Sequence, residues 1–194
     1  MTEFVPELAV HEICRELAAR GRRFALVGGL AVSVRSEVRF TRDVDLVVVV
    51  ADDEDAEGLV FQLRGAGYTA VASVEHETQK RLATARLVAP RGVKIDLLFA
   101  SSGIETEIVA SATDVDFGAL RVPVARAEEL LAMKVLSMTN TRLQDRIDAQ
   151  RLLQFVPDLD LEVVRAHLDS ITLRGFHREQ DLAAKLESVL MDIR

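Results

Sequence analysis

Two carboxylates one residue apart, Asp43 and Asp45, stand at the start of an apolar run at residues 46–50. This run is β-branched and too short to favour a helix, so we predict a strand that is buried on both faces. Because side chains alternate along a strand, both carboxylates should point to the same side, with Cα atoms about 6.6–6.8 Å apart. Two neighbouring ionised carboxylates repel each other unless a cation compensates, and Mg²⁺ binds one or two carboxylates together with substrate phosphates. The pair therefore predicts a divalent-cation site.

A glycine turn lies upstream of this pair. Gly28 and Gly29 interrupt an apolar segment at residues 24–27, which we predict to be the first strand, and residues 30–34 should form a short helix. Glycines let the backbone turn sharply and approach a ligand closely. A helix N-terminus behind two glycines presents backbone N–H groups that suit a phosphate. A solvated strand end would explain an isolated Asp-x-Asp pair more simply, but the glycine turn favours the chemical interpretation.

The combination of these motifs resembles the nucleotidyltransferase superfamily of the DNA polymerase β type, whose mark is Gly-Gly or Gly-Ser, a spacer, and then Asp-hydrophobic-Asp. The segment Gly28-Gly29-Leu30-Ala31, followed by Arg39, Thr41 and Asp43-Val44-Asp45-Leu46, is similar to the finer pattern of the AbiEii/AbiGii-type toxin nucleotidyltransferases, which include the MenT toxins.

This resemblance implies metal-dependent transfer of a nucleoside monophosphate from an NTP to an acceptor hydroxyl, with release of pyrophosphate. Asp43 and Asp45 would hold divalent cations, Mg²⁺ or alternatively Mn²⁺, in an in-line displacement. Gly28, Gly29, Arg39 and Thr41 would contact the nucleotide.

Asp96 is the unusual acid of a third apolar segment, at residues 93–99. A lone buried acid needs a partner or a cation. The resemblance implies a third catalytic and metal-binding carboxylate on a strand beside the first pair, and Asp96 is the residue that fits, with the added role of drawing the proton from the acceptor. The alternative is a structural ion pair between Asp96 and Lys94 or Arg86.

Lys134 lies among the apolar positions of a strong helix predicted at residues 127–138. The usual interpretation is a lysine whose stem packs while its amine reaches water. The resemblance implies instead that its amine contacts the nucleotide phosphates. On the following helix Asp145 and Asp148 lie at i and i+3, so both can face one way. The resemblance implies an additional functional acid here, either of the two, and the alternative is surface pairing with neighbouring arginines.

The remaining segments predict an α+β fold, with a mixed β-sheet nucleotidyltransferase core flanked by helices and a C-terminal helical subdomain. We place the catalytic core at residues 1–122 and the helical subdomain at residues 123–194. Further strands are expected at residues 68–74, 81–88 and 115–122, and further helices at 5–20, 54–64, 101–112, 160–169 and 176–192.

Composition limits the remaining possibilities. Hydrophobic residues make up 49% and charged residues 28% of the chain, and no apolar run approaches the ~20 residues of a membrane span. We therefore expect a cytoplasmic protein with no membrane partner. Cys14 is the only cysteine, which excludes an intrachain disulfide and a thiolate zinc cluster.

The net charge of −7 argues against a broad basic surface for nucleic acid. An RNA acceptor would need a local basic path, for which the candidate residues are Arg35, Arg39, Arg42, Lys80, Arg81 and Arg91.

The toxin resemblance suggests the 3′ end of tRNA, or alternatively a protein side chain, as the acceptor, and a cognate antitoxin as a partner. Three other functions fit parts of the pattern. They are an aminoglycoside or lincosamide nucleotidyltransferase, an Asp-x-Asp glycosyltransferase, and a catalytically silent binding module.

Overall fold

A computed structural model of the protein describes residues 5–38, 40–117 and 120–193. Within these residues the chain forms eight helices and seven strands. The helices are α1 (Val5–Ala19), α2 (Gly28–Arg35), α3 (Asp53–Gly65), α4 (Glu105–Ser111), α5 (Ala127–Ser137), α6 (Leu143–Phe155), α7 (Leu161–Leu173) and α8 (Leu182–Asp192). The strands are β1 (Phe24–Val27), β2 (Val44–Val48), β3 (Thr69–Glu75), β4 (Leu82–Val88), β5 (Lys94–Leu98), β6 (Thr113–Phe117) and β7 (Leu120–Val124).

The strands form one mixed sheet in the order β3-β4-β5-β2-β1-β7-β6. Strand β2 lies at its centre, antiparallel to β1 and parallel to β5. Its residues Val44, Leu46, Val47 and Val48 are all buried, as expected for a strand covered on both faces. The predicted α+β fold with a mixed sheet flanked by helices is confirmed.

The C-terminal helices pack on one another and on the start of the core. Helix α5 contacts α6, α7 and α8, and both α5 and α6 also contact α2, the helix that follows the glycine turn. The helical part of the chain therefore borders the predicted site directly. Strand β7 reaches Val124, just past the boundary predicted at residue 122, and the division into two domains stays a prediction.

Two segments differ from the sequence prediction. The strand expected at residues 115–122 is instead the antiparallel pair β6 and β7, in which Phe117 is opposite Leu120. Alternation alone cannot distinguish one long strand from two short antiparallel strands, and Gly118 is the residue in this segment whose type signals a break in a strand.

The helix expected at residues 176–192 begins only at Leu182, where the Asp181 carboxylate caps the backbone N–H of Ala184. Arg178 and Glu179 before it have φ values of 55° and 58°, in the left-handed region that a helix excludes. No helix in the described part of the chain combines the length and apolar character needed to cross a bilayer.

Candidate active site

A row of polar side chains crosses the centre of the sheet. Asp45 on β2 lies opposite Asp96 on the parallel strand β5, and Asp96 in turn lies opposite Arg86 on the antiparallel strand β4. Neighbouring strands are about 4.8 Å apart, and residues paired across them project from the same face. The fold thus brings together two of the three carboxylates that were predicted to act together.

The glycine turn is built around Asp45. Gly28 has a φ of +65°, and a Cβ placed on it would lie 1.9 Å from the Asp45 Oδ2 atom. Only glycine satisfies both conditions, because other residues rarely adopt this φ and their Cβ would overlap the carboxylate. The backbone N–H of Gly29 donates a hydrogen bond to the same side chain. The glycine turn therefore positions the Asp45 carboxylate. The phosphate contact predicted for Gly28 and Gly29 stays a prediction.

Burial and neighbouring charge act together on Asp45. Burial raises the pKa of Asp45 to about 6, and the negative charges of Asp96 and Asp43 add to this effect. The positive charge of Lys134 and the Gly29 hydrogen bond act in the opposite direction. This is the environment expected of a carboxylate that a bound cation would stabilise.

Asp43 lies just outside the strand. Strand β2 begins at Val44, and Asp43 is exposed in the connection before it. Its charge contributes to the raised pKa of Asp45, which indicates that the two carboxylates are near each other. Two carboxylates with substrate phosphates can satisfy Mg²⁺, so this donor set fits a divalent cation.

Asp96 is held by Arg86 in a two-point ion pair. The Arg86 Nε atom donates to Asp96 Oδ1 at 2.7 Å and its Nη2 atom donates to Oδ2 at 2.6 Å. This is the structural pairing that the sequence left open as an alternative. In the described part of the chain, no three His, Cys, Asp or Glu side chains are gathered closely enough to hold a metal together.

Lys134 occupies a buried ion-pair cluster beside Asp45. Its Nζ atom lies 2.7 Å from Asp145 Oδ1 and 2.9 Å from Asp148 Oδ2, and only 11% of its side chain is exposed. The simpler interpretation, an amine extending into water, is wrong. Both acids of the following helix contact the same lysine, and Asp145 also forms an ion pair with Arg142, whose Nε atom lies 2.9 Å from Asp145 Oδ2.

A cleft of about 600 Å³ opens beside the carboxylates. Asp45, Asp96 and Arg86 line it from the sheet, and Arg142 and Arg178 line it from the helical part. Partial burial, followed by the positive charge of Arg142, lowers the pKa of Arg178, so the two guanidinium groups are near each other. A smaller pocket next to it includes Gly28, Lys134 and Asp145, and shares Asp45 and Arg142 with the main cleft.

Sequence reasoning missed Arg178 as a residue of the cleft. Its segment was assigned to a helix, although Gly175 and the cap Asp181 were signals of a loop. Arg178 also donates to the backbone oxygen of Ser101 at 3.1 Å, which fixes this loop against the core.

Several other predicted residues lie elsewhere. Arg39 lies outside the described residues. Thr41 is half-buried in the connection before β2, and it is not among the described residues that line the cleft. Arg35 donates to the backbone oxygens of Val124 and Ala125, which makes it part of the fold.

Three more arginines of the proposed basic path contact side chains of the protein itself. Arg81 pairs with Asp53 at 2.6 Å and Arg91 with Glu12 at 3.2 Å, which ties both to acids of the protein itself. Arg42 lies over the ring of Phe40, 5.4 Å from its centroid.

Comparison with known proteins gives one family. The family described as "Nucleotidyl transferase AbiEii toxin, Type IV TA system" matches residues 13–191. No curated protein matches the sequence significantly.

Several solved structures have the same fold. An antigenic nucleotidyltransferase-like protein from Paracoccidioides brasiliensis has 18% identity, a TM-score of 0.54, and coverage of 93% of this chain and 91% of that chain. The lincosamide antibiotic adenylyltransferase LnuA has 17% identity, a TM-score of 0.50, and coverage of 79% and 98%. The antibiotic-resistance factor ANT(2'')-Ia has 15% identity, a TM-score of 0.54, and coverage of 98% and 100%. At these identities the likeness concerns the fold alone.

Proposed function

The chain belongs to the AbiEii nucleotidyl transferase family, and from this premise we propose that it transfers a nucleoside monophosphate from an NTP to an acceptor hydroxyl in the cleft beside Asp45. The observation that carries the proposal is the pairing of Asp45 with Asp96 across two parallel strands, directly behind the Gly28 turn. In this reaction the acceptor oxygen forms a bond to the α-phosphorus, and the bond from that phosphorus to the pyrophosphate oxygen breaks.

Different residues of the cleft would bind the cation, accept the proton and bind the phosphates. A divalent cation held by Asp43 and Asp45 would supply positive charge for the phosphates and lower the pKa of the acceptor hydroxyl. Asp96 is our candidate for receiving the proton of that hydroxyl. Arg142 and Arg178 would attract the triphosphate or a phosphate of the acceptor, because guanidinium groups bind phosphate oxygens in a two-point geometry.

Lys134 acts indirectly in this proposal. Its amine is already engaged with two carboxylates, so its main effect on the site is the positive charge that it holds near Asp45. Asp145 and Asp148 fix the position of that charge. A direct contact between Lys134 and a phosphate would require the amine to exchange a carboxylate partner for the nucleotide.

For the acceptor we propose an RNA 3′ end, in keeping with a family described as toxins, with a protein side chain as the second choice. The basic path suggested by the sequence gives little support, because Arg35, Arg81 and Arg91 are engaged within the protein. Arg142 and Arg178 also have partners within the protein, Asp145 and the Ser101 carbonyl, but both line the cleft itself and would supply positive charge there. The family match gives no support to a glycosyltransferase.

The test is label transfer from each α-labelled NTP, with total tRNA, a cell protein extract, or a panel of aminoglycosides and lincosamides as acceptors. Label on tRNA supports the proposal. Label only on an antibiotic would replace the acceptor with a small molecule. Absence of label in every arm, together with no binding of NTP, would favour a catalytically silent module.

A further inference from the structure

The ion pair between Arg86 and Asp96 lies next to the proposed cation site at Asp45. Both carboxylate oxygens of Asp96 accept hydrogen bonds from one guanidinium group, at 2.7 and 2.6 Å. Asp96 itself is the cross-strand neighbour of Asp45. A cation that approaches the two carboxylates therefore meets one whose charge is already compensated.

The two partners are unequal in their freedom to move. The Asp96 side chain is 15% exposed and fixed on a central strand, whereas the Arg86 side chain is 49% exposed at the cleft. Arginine can exchange a carboxylate for a phosphate, because both offer two oxygens to the same planar fork. Arg86 can thus leave Asp96 without disturbing the core.

We propose that Arg86 is a positioning residue that competes with divalent cations for Asp96 and is drawn away by the phosphates of the incoming nucleotide. This inference rests on the proposed function, in which Asp96 and Asp45 serve one reaction. It makes cation binding at Asp96 depend on nucleotide binding, and the coupling is reciprocal. Without nucleotide, the site binds a cation through Asp43 and Asp45 with Asp96 withheld.

The experiment is calorimetric titration of the 194-residue chain with Mn²⁺, without nucleotide, for wild type, Arg86→Met and Arg81→Met. Arg81 is a matched control, because it precedes the same strand, pairs with a carboxylate at 2.6 Å and is 41% exposed. We expect Arg86→Met to bind Mn²⁺ about tenfold more tightly than wild type, since a nearby positive charge has been removed. Arg81→Met should match wild type.

Two further variants identify the cause. Arg86→Met combined with Asp96→Asn should lose the gain in affinity, because the released carboxylate is then absent. Arg86→Lys keeps the charge without the two-point fork and should fall between wild type and Arg86→Met, which provides a second test if Arg86→Met folds poorly. A non-hydrolysable NTP analogue should strengthen Mn²⁺ binding in wild type more than in Arg86→Met.

Unchanged or weaker Mn²⁺ binding in Arg86→Met would overturn the inference. This failure is distinguishable from failure of the proposed function. If wild type transfers label from an NTP while Arg86→Met shows no gain, only the role of Arg86 is wrong. If wild type and Asp45→Asn bind Mn²⁺ equally and neither transfers label, the proposed function itself is wrong.

Discussion

The Asp45 side chain packs against Gly28 at the position that a Cβ atom of residue 28 would occupy. A Cβ on Gly28 would lie 1.9 Å from Asp45 Oδ2 and 2.7 Å from Asp45 Cβ, so the carboxylate fits only because residue 28 has no side chain. Because Asp45 is fixed on the central strand of the sheet, it cannot move aside to admit a side chain. The glycine turn and the Asp-x-Asp motif, which are far apart in sequence, form one structural unit.

Gly28→Ala should therefore damage both stability and activity. It combines a positive φ with an overlap against a fixed strand, and overpacking of this kind costs about 1–3 kcal/mol. Gly58→Ala is the control, since Gly58 lies within α3 with nothing within 4 Å of the added Cβ. That change should be neutral or stabilising by about 0.5–1 kcal/mol. Urea unfolding of both variants is the measurement, and equal stabilities would contradict the relationship.

Asp45→Asn should alter how stability depends on pH. The pKa of Asp45 is raised to about 6 in the fold by burial and by Asp96, above its ordinary value, so the folded state favours the protonated form. In wild type the stability that this group contributes is present at low pH and is lost as the pH rises through about 6.

Asp45→Asn has no carboxyl group to ionise at this position, so it does not lose stability in this way as the pH rises. The free energy of unfolding of Asp45→Asn minus that of wild type should grow between about pH 4 and pH 6, by on the order of 2–3 kcal/mol, and then level off. Urea unfolding at half-unit pH intervals measures the difference. A difference that does not change with pH would mean that Asp45 is not buried among like charges.

Lys134→Ala should destabilise the protein strongly. It leaves Asp145 and Asp148 buried without their shared cation, and breaking a buried ion pair by removing one partner costs about 3–5 kcal/mol. Lys94→Ala, on the exposed face of β5, should change stability by no more than about 0.5 kcal/mol.

A triple variant with Lys134→Met, Asp145→Asn and Asp148→Asn should recover much of the loss, because no uncompensated charge is then buried. Thermal and urea unfolding measure the stability of Lys134→Ala, Lys94→Ala and the triple variant relative to wild type. A loss below about 1 kcal/mol in Lys134→Ala would restore the interpretation of a water-exposed amine.

Local patterns predicted much of the central sheet. The strands at β1 and β2 follow from their apolar runs and from the glycines between them. The sequence analysis left the pairing of Arg86 with Asp96 as one of two alternatives, although the two residues are symmetric about the turn at residues 90–92 between β4 and β5. The pairing of Asp45 with Asp96 required a resemblance, since parallel strands carry no local signal of which residues face each other.

The features of the site that the sequence did not predict depend on tertiary packing. The burial of Lys134 reflects the position of α6 against α5, and helical periodicity on either helix alone does not reveal it. Arg178 and its neighbour Glu179 both have a positive φ, and this conformation places Arg178 at the cleft. A positive φ is uncommon for residues other than glycine, so the sequence gives no signal of it. Asp43 was expected within a strand, yet it lies just before β2, because the ladder with β1 ends at Asp45 and the ladder with β5 ends at Val44.

The most direct measurement is pyrophosphate release from an NTP with Mg²⁺, total tRNA and cell protein extract, compared among wild type, Asp45→Asn and Asp169→Asn. Asp169 is an exposed acid on α7 and does not line the cleft, so its variant controls for the loss of a surface charge. We expect wild type and Asp169→Asn to release pyrophosphate at the same rate and Asp45→Asn to be slower by at least about a hundredfold. A wild-type rate in folded Asp45→Asn would contradict the assignment of nucleotidyl transfer to this cleft.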